Sequence, residues 1–443
     1  MLGFRIPQRN LEDLLGRLNR KPFGPLACEF GVRKDREADV TEYLFRSVLG
    51  HWGRGKKVPG RTGKPLVLVT ARQRGSMVTP GLERLVRDSG AVAGLSLCPR
   101  AKHLSFECAA PGCEHIPYVS IPGPGMSKTG VALISDGKKR LSVAVPPDGA
   151  EARLQYRKFD EKYGRLGGAI GLGNRQRGLD ILRRASTLRV TVIGAGRAGS
   201  ALVLRLAKAG VGSQAGVTVA DPDVLEEANL PDMPVPDRAV GLPKAEAVAM
   251  TAAAFCPGFP VRPLNAGLGS EEVVEAVAES DVVFSCVDED AARLGVAVLA
   301  ARYHVVHVDL TGGAARKRRG DAVLGGAVRI FVPGTQPCLA CTSSADWSRA
   351  EELLGMGTEA ERRRRSELDW TEQKAGSSAD VLNVVLGEGM QMFWALLRGE
   401  VTSSVWLQYG HDSRGVPRWS NWTRRARKRC PVCSGQAGRG DAE

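Results

Sequence analysis

The sequence predicts an α/β protein built on a doubly wound, Rossmann-like parallel sheet, preceded by a smaller α+β domain. Three observations predict it. Residues 189–211, RVTVIGAGRAGSALVLRLAKAGV, read as an apolar strand, a glycine turn and a helix with leucines on one face. Downstream, short apolar runs alternate with helical stretches of ten or so residues, the pattern of parallel strands joined by crossover helices. Upstream, the texture changes at PPDGAEA, where proline and glycine punctuate a plausible linker. The boundaries follow: an N-terminal domain over 1–150 and an α/β domain over 151–443.

The first 150 residues are otherwise irregular. KPLVLVT (64–70) and YVSIP (118–122) have the composition of short strands, LERLVRDSG (82–90) that of a short helix. GVALIS (130–135) and RLSVAVPPDG (140–149) suggest a late hairpin. In the second domain VTVIGAG is followed by a helix at 198–209 and the strand GVTVAD (216–221). Then come a helix around PKAEAVAMTAAAF (243–255), the strand VRPLNA, a helix at 271–278 and the strand DVVFSCVD (281–288). ARLGVAVLAARY forms a further helix and VVHVDL a further strand. Met390, Met392, Phe393 and Trp394 fit a buried helix, and His304 and His307 fit packed sheet-end positions.

Composition narrows the class. Hydrophobic content of 43% with 25% charged residues is that of an ordinary globular protein. The chain has no apolar run near twenty residues and opens without the basic-then-apolar pattern of a signal peptide, so a cytoplasmic location without membrane association is expected. Net charge is +14, which permits acidic partners. The basic runs Arg362–Arg365 and Arg424–Arg429, however, have no aromatic-interleaved motif beside them, and are read as solvated surface rather than a nucleic-acid site.

The glycine turn gives the first chemistry. Gly194 would make the tight turn, Gly196 would let the backbone approach phosphate, and Gly199 would let helix and strand pack closely. The helix N-terminus then offers N–H groups and a positive dipole to an anion. Hydride-transfer enzymes open their sheets in the same way, so later residues must separate the two. Asp221 ends the second strand, where an acid can take ribose hydroxyls, and Asn229 lies eight residues on. GLPK places Lys244 just before a helix, and CVDED places Asp288 at the carboxyl edge of the sheet. A lysine and a carboxylate converging on a glycine turn suit a triphosphate with Mg2+, and a nicotinamide needs neither.

Ten cysteines are too few for a secreted disulfide scaffold of this length. Four form two C-x-x-C pairs, Cys338/Cys341 in PCLAC and Cys430/Cys433 in CPVC. Each pair can grip one side of a tetrahedral Zn2+, and four thiolates without water make a closed structural site. That site would pin a C-terminal extension to an earlier loop. Cys98, Cys108 and Cys113, with His103 or His115, are spaced irregularly, and are read as free thiols over a second zinc site.

With these parts in this order, the chain over about 157–435 resembles the ThiF/MoeB/HesA family, relatives of the ubiquitin-activating enzymes. The resemblance rests on KYGR (162–165), GAGRAGS, DPDVLEEANL, GLPK, CVDED and the two cysteine pairs. It implies ATP-dependent adenylylation of the C-terminal carboxylate of a small ubiquitin-fold protein or peptide, with release of pyrophosphate. Lys244, Asp288 and Arg165 would be catalytic, Arg165 reaching the partner protomer's ATP site in a homodimer. Gly194, Gly196, Gly199, Asp221, Asn229, Lys244 and Asp288 would bind ATP and Mg2+.

One position departs from the family pattern. Three residues after Asn229, where the family has an arginine near the triphosphate, stands Asp232. Arg238 or Arg197 is expected to compensate. Between Cys341 and Cys430 there is no cysteine, so the expected product is an acyl-adenylate passed to another nucleophile, not an enzyme thioester. Two rival readings are a non-catalytic scaffold that presents a peptide or protein to a partner enzyme, favoured by Asp232, and an NAD(P)-dependent oxidoreductase, favoured by the glycine turn alone.

Overall fold

The computed structural model describes residues 150–316, 322–333, 335–342, 347–367, 379–401, 403–411, 414–421, 427 and 430–441. Of the N-terminal part it describes 2–6, 10, 13–14, 17, 26–35, 40–51, 66–71, 91, 93–99, 104–109, 116–120 and 131–135. The chain divides into two units. One comprises Met1–Pro147 with Ala301–His304 and Gln436–Glu443, the other Asp148–Ala300 with Val305–Gly435.

The first unit carries an eight-stranded sheet. Its strands are β1 (Leu2–Ile6), β2 (Leu26–Asp35), β3 (Val40–His51), β4 (Leu66–Ala71), β5 (Ala93–Pro99), β6 (Leu104–Ala109), β7 (Ile116–Ser120) and β8 (Val131–Ser135), in the order β7-β6-β5-β4-β2-β3-β1-β8. Strands β4, β7 and β8 match three apolar runs of the sequence; the long antiparallel pair β2–β3 corrects its reading as irregular. The register of that pair shifts at Ala27/Cys28 and again at Glu29/Phe30. Each shift breaks the two-residue alternation by which a strand is read. Leu26, Ala27, Cys28 and Phe30 are all buried, and Phe30 meets Phe45 edge-on at 5.5 Å between ring centres. Burial pushes the Cys28 thiol up to about 12, so it stays an uncharged core residue. Of the late hairpin, the first strand is described as β8, which pairs antiparallel with β1; 140–149 and the expected helix at 82–90 lie outside the described residues. The backbones of Cys98 and Cys108 lie in β5 and β6, but their side chains, with His103, Cys113 and His115, also lie outside.

The second unit opens with a helical hairpin, α1 (Ala150–Ile170) and α2 (Arg175–Ser186). Asn174 caps α2 by accepting from the Arg177 N–H at 3.0 Å, and Leu179, Ile181, Leu182 and Ala185 form its buried face. The two helices touch at glycines: a Cβ on Gly178 would lie 1.7 Å from Gly167 O.

Next come β9 (Val190–Ile193), α3 (Arg197–Ala209), β10 (Val217–Ala220), α4 (Lys244–Phe255), β11 (Val261–Leu264), α5 (Glu271–Glu279), β12 (Val282–Ser285), α6 (Asp290–Tyr303) and β13 (Val306–Arg316). The sheet order begins β11-β10-β9-β12-β13, and these five strands are parallel. It continues with three antiparallel strands, β14 (Ala322–Phe331), β15 (Val405–His411) and β16 (Pro417–Asn421). The sheet is therefore mixed rather than wholly parallel. Strands β9, β12 and the start of β13 are buried without alternation, the polar Thr191, Ser285, His307 and Asp309 included, because helices cover both faces. Between β14 and β15 lie α7 (Leu339–Thr342), α8 (Trp347–Gly355), α9 (Thr358–Glu367) and α10 (Ala379–Arg398). Helix α10 buries Leu382, Val385, Met390, Phe393 and Trp394, and Phe393 meets Phe284 of β12 at 5.7 Å. No helix among the described residues is long and apolar enough to cross a membrane.

Candidate active site

Strand order reverses between β9 and β12: the chain runs outward to β10 and β11, then returns to β12. Ligands of open α/β sheets sit in the crevice beyond the strand ends at such a switch point. The glycine turn and Asp288 both lie there, on the ends of β9 and β12.

Each glycine of the turn meets a different constraint. Gly194 has φ +94°, and a Cβ there would stand 2.8 Å from Cys286 O. Gly196 caps α3, and a Cβ there would meet nothing within 4 Å, so open space faces the start of the helix. A Cβ on Gly199 would sit 1.8 Å from Gly194 O. The first-turn N–H groups of α3 lack intrahelical acceptors and face that open space with the positive end of the helix dipole.

Asp221 is 6% exposed and works inside the protein. Its Oδ2 accepts from the Ala195 N–H at 2.7 Å and its Oδ1 from the Asp223 N–H at 2.9 Å. It thus ties the glycine turn to the end of β10, and burial raises its pKa above the ordinary carboxylate range. Asp223, two residues on, is the acid the sequence reading missed; its signal was the D-x-D spacing. Its Oδ2 takes the Lys244 ammonium at 2.9 Å. Burial pushes the Asp223 carboxyl up, but Arg365 and Lys244 outweigh this and hold it below its usual value. Burial likewise lowers Lys244, and Asp221 and Asp223 more than offset that, keeping it charged. Asn229 closes a 3-10 turn, Glu227–Asp232, its Oδ1 accepting from the Glu226 N–H at 3.0 Å.

Asp288 is the outward-facing carboxylate of the group, its side chain 59% exposed. Asp232 is paired with Arg197 of the glycine turn, Nη2 to Oδ2 2.6 Å, whereas Arg238 is exposed on the turn Asp237–Ala239. Arg165 is exposed on α1, and no ion pair or hydrogen bond among the described residues joins it to Lys244 or Asp288.

The run Arg362–Arg365 requires a correction. It lies on α9, and three of its four arginines bind at the carboxyl edge of the sheet. Arg362 donates from Nε to Pro222 O at 2.7 Å and from Nη2 to Asn265 Oδ1 at 2.6 Å. Arg364 grips Glu289 with both nitrogens, at 3.1 and 2.6 Å, and Arg365 lies between Asp223 and Asp288. Charge density alone reads as solvated surface; only the fold reveals the acids on the facing loops. Of the second run, Arg427 is described and is exposed.

A buried polar cluster lies beside the site on β12, β13 and β14. Ser285 donates to Asp309 Oδ1 at 2.7 Å, so the His307 Nε2–H donates to Ser285 Oγ, also at 2.7 Å. Arg329 reaches Asp309 at 2.5 Å, and Arg293 lies 3.6 Å from it. Three residue types of a hydrolytic triad are thus assembled, but the serine proton points at the aspartate and Ser285 is fully buried. The cluster holds charge within the sheet. Cys286 is also buried, which pushes its thiol far above the usual range.

The four paired cysteines converge. Cys338 and Cys430 sulfurs are 3.5 Å apart, Cys341 and Cys433 3.7 Å, and Cys338 and Cys341 3.9 Å. Tetrahedral Zn–S bonds of about 2.3 Å place sulfurs about 3.8 Å apart, so this donor set fits the ion. The cluster joins α7 to the segment following β16.

Residues 172–379 match the model of the ThiF family. The molybdopterin-synthase adenylyltransferase of Escherichia coli (strain K12) is 33% identical over 158 residues, which are 35% of this chain and 58% of that protein. The SAMP-activating enzyme E1 of Haloferax volcanii is 40% identical over 106 residues, 24% of this chain and 38% of that one. The chain thus spans less than two thirds of the length of either relative. Among solved structures, E. coli MccB with ATP aligns with 76% of this chain and 97% of its own at 15% identity and a TM-score of 0.45. The similarity to the ThiF family is thus carried by residues 172–379, a little under half of the chain.

Proposed function

We propose that the protein adenylylates the C-terminal carboxylate of a small ubiquitin-fold protein or peptide at the expense of ATP. The observation that carries this reading is the convergence of an open glycine turn, a half-buried lysine and an outward carboxylate on one switch point. The first-turn N–H groups of α3 and Lys244 would receive the polyphosphate, and the strand end held by Asp221 and Asp223 would meet the ribose. Asp288 would hold Mg2+, which when bound screens the charge of the phosphates.

A carboxylate oxygen of the acceptor attacks the α-phosphorus. The bond from that phosphorus to the oxygen bridging the β-phosphate breaks, and pyrophosphate leaves with the electron pair. No proton moves, since a carboxylate is ionised at neutral pH. The protein's part is therefore positioning and neutralisation of developing charge by Lys244 and the arginines. With no cysteine between Cys341 and Cys430, the acyl-adenylate passes to a nucleophile from outside that segment. The four cysteines would hold a structural Zn2+, and Arg165 would complete the site of a second protomer in a homodimer. The N-terminal unit would recognise substrate or partner.

The test is calorimetric titration of the full chain with magnesium-ATP, NAD and NADP, followed by pyrophosphate release in the presence of a ubiquitin-fold protein ending in Gly-Gly. Micromolar binding of ATP alone, with pyrophosphate released only when the acceptor is present, is expected. Dinucleotide binding without ATP binding would overturn the reading.

A further inference from the structure

Helix α9 is fastened to the sheet independently of its arginines. Glu361, 6% exposed, accepts from the Leu268 N–H at 3.0 Å, and Thr358 Oγ1 accepts from the Gly267 N–H at 3.1 Å. These bonds fix the first turns of α9 on the loop after β11. Arg362 and Arg365, three residues apart, then share the face turned to the strand ends.

Their contacts differ in kind. Arg362 and Arg364 are held by short bonds, and the Arg364–Glu289 pair is a two-pronged fork. Arg365 makes no comparable fork with either acid. It divides its guanidinium between two carboxylates at longer range, Nη1 3.6 Å from Asp223 Oδ1 and Nη2 3.4 Å from Asp288 Oδ1. Its side chain remains 28% exposed, and that of Asp288 59%. Arg365 thus serves both acids; Asp223 also has the Lys244 ammonium, whereas among the described residues the cation paired with Asp288 is Arg365. A divalent cation held by Asp288 would take the same oxygens and repel the guanidinium, and a nucleotide beside it would offer phosphate oxygens to receive that guanidinium.

We propose that Arg365 is an exchange residue. It is the counter-ion of Asp288 in the nucleotide-free protein, yields that carboxylate to the cation that enters with ATP, and turns onto the polyphosphate. This inference rests on the ATP reading above. It assigns to α9 a part in substrate binding that its sequence, a run of four arginines, does not announce. Because the arginine and the cation compete, the protein binds free metal weakly and the metal–nucleotide complex well, so the carboxylate is not left neutralised by metal without substrate.

Removing the arginine should therefore have opposite effects on two ligands. Mn2+ alone is titrated into the full chain and followed by electron paramagnetic resonance, and magnesium-ATP is titrated by calorimetry, for wild type, Arg365→Gln and Arg365→Lys. In Arg365→Gln, Mn2+ binding should tighten about 5-fold while magnesium-ATP binding weakens about 10-fold or more, the scale of a lost charge-assisted hydrogen bond. Arg365→Lys keeps the charge and should restore weak Mn2+ binding, with ATP affinity between the other two. Melting temperatures identify a misfolded variant, and the lysine variant then carries the comparison. Wild type that fails to bind magnesium-ATP overturns the ATP reading itself. Wild type that binds it, with Mn2+ affinity unchanged or weakened in Arg365→Gln, overturns the exchange role alone.

Discussion

Arg197 and Asp232 form an ion pair with 2.6 Å between Nη2 and Oδ2, joining the start of α3 to the turn that follows β10. In the proposed ATP site, the pair would answer the electrostatic problem posed by an acid beside a triphosphate. Asp232 takes its cation from inside the glycine turn, and Arg197 is held at the end of the helix where phosphate would lie. Arg197→Ala should then weaken ATP binding more than Asp232→Ala does, because the first change leaves an acid unpaired near the polyphosphate. The double variant should recover part of the loss. A calorimetric double-mutant cycle reads this directly; single and double variants of equal affinity would show that the pair is unrelated to the nucleotide.

Lys244 and Asp288 occupy different environments, and substitution should separate them. Lys244 lies between Asp221 and Asp223 with its side chain 15% exposed. Lys244→Ala removes the cation that offsets Asp221 and Asp223 together, leaving Asp223 with Arg365 at 3.6 Å, so both ATP affinity and melting temperature should fall, with pyrophosphate release down about 100- to 1000-fold. Asp288→Ala removes an exposed carboxylate, so release should fall comparably with little change in melting temperature. Equal thermal losses in both variants would contradict this division.

The sequence disclosed those parts of the site whose backbone demands are severe. Only glycine fits at 194 and 199, and strands β9, β10 and β12 are short runs made mostly of apolar residues and bounded by turn residues. What stayed hidden depends on partners distant in the chain. The α9 arginines look like solvated charge until the fold brings Asp223, Asp288 and Glu289 opposite them. The β2–β3 pair is masked by its register shifts, and Ser285, His307 and Asp309 become a cluster only when β12 and β13 pair in register. Asp221 was legible as an acid at a strand end; that its oxygens are taken by the Ala195 and Asp223 N–H groups was not.

The cysteine cluster yields a compositional test. Four sulfurs at tetrahedral spacing should hold one Zn2+ per chain, measurable by elemental analysis of protein purified without added metal. Cys433→Ser should lower zinc content and melting temperature together, because the segment after β16 loses its tether to α7. Full zinc occupancy in that variant, or a metal-free wild type with the same melting temperature, would show that these thiols are merely packed.

His307 sets a pH dependence of stability. Burial lowers its pKa from 6.5 to about 4, and the opposing pull of Asp309 does not offset this. Below pH 6.5 the unfolded chain therefore binds a proton here that the folded chain refuses until about pH 4. Stability falls as pH drops through that window and levels off beneath it, a loss on the order of 3 kcal/mol. Asp309 acts in a lower window. Burial raises its carboxyl, but Arg293 and Arg329 outweigh this and bring it to about 2, so its contribution is lost only as pH falls from 3.8 toward 2. His307→Gln keeps a donor toward Ser285 and removes the first window alone. The melting-temperature advantage of wild type over this variant should shrink steadily from pH 7 to pH 4.5, and parallel curves would mean that His307 does not set the slope.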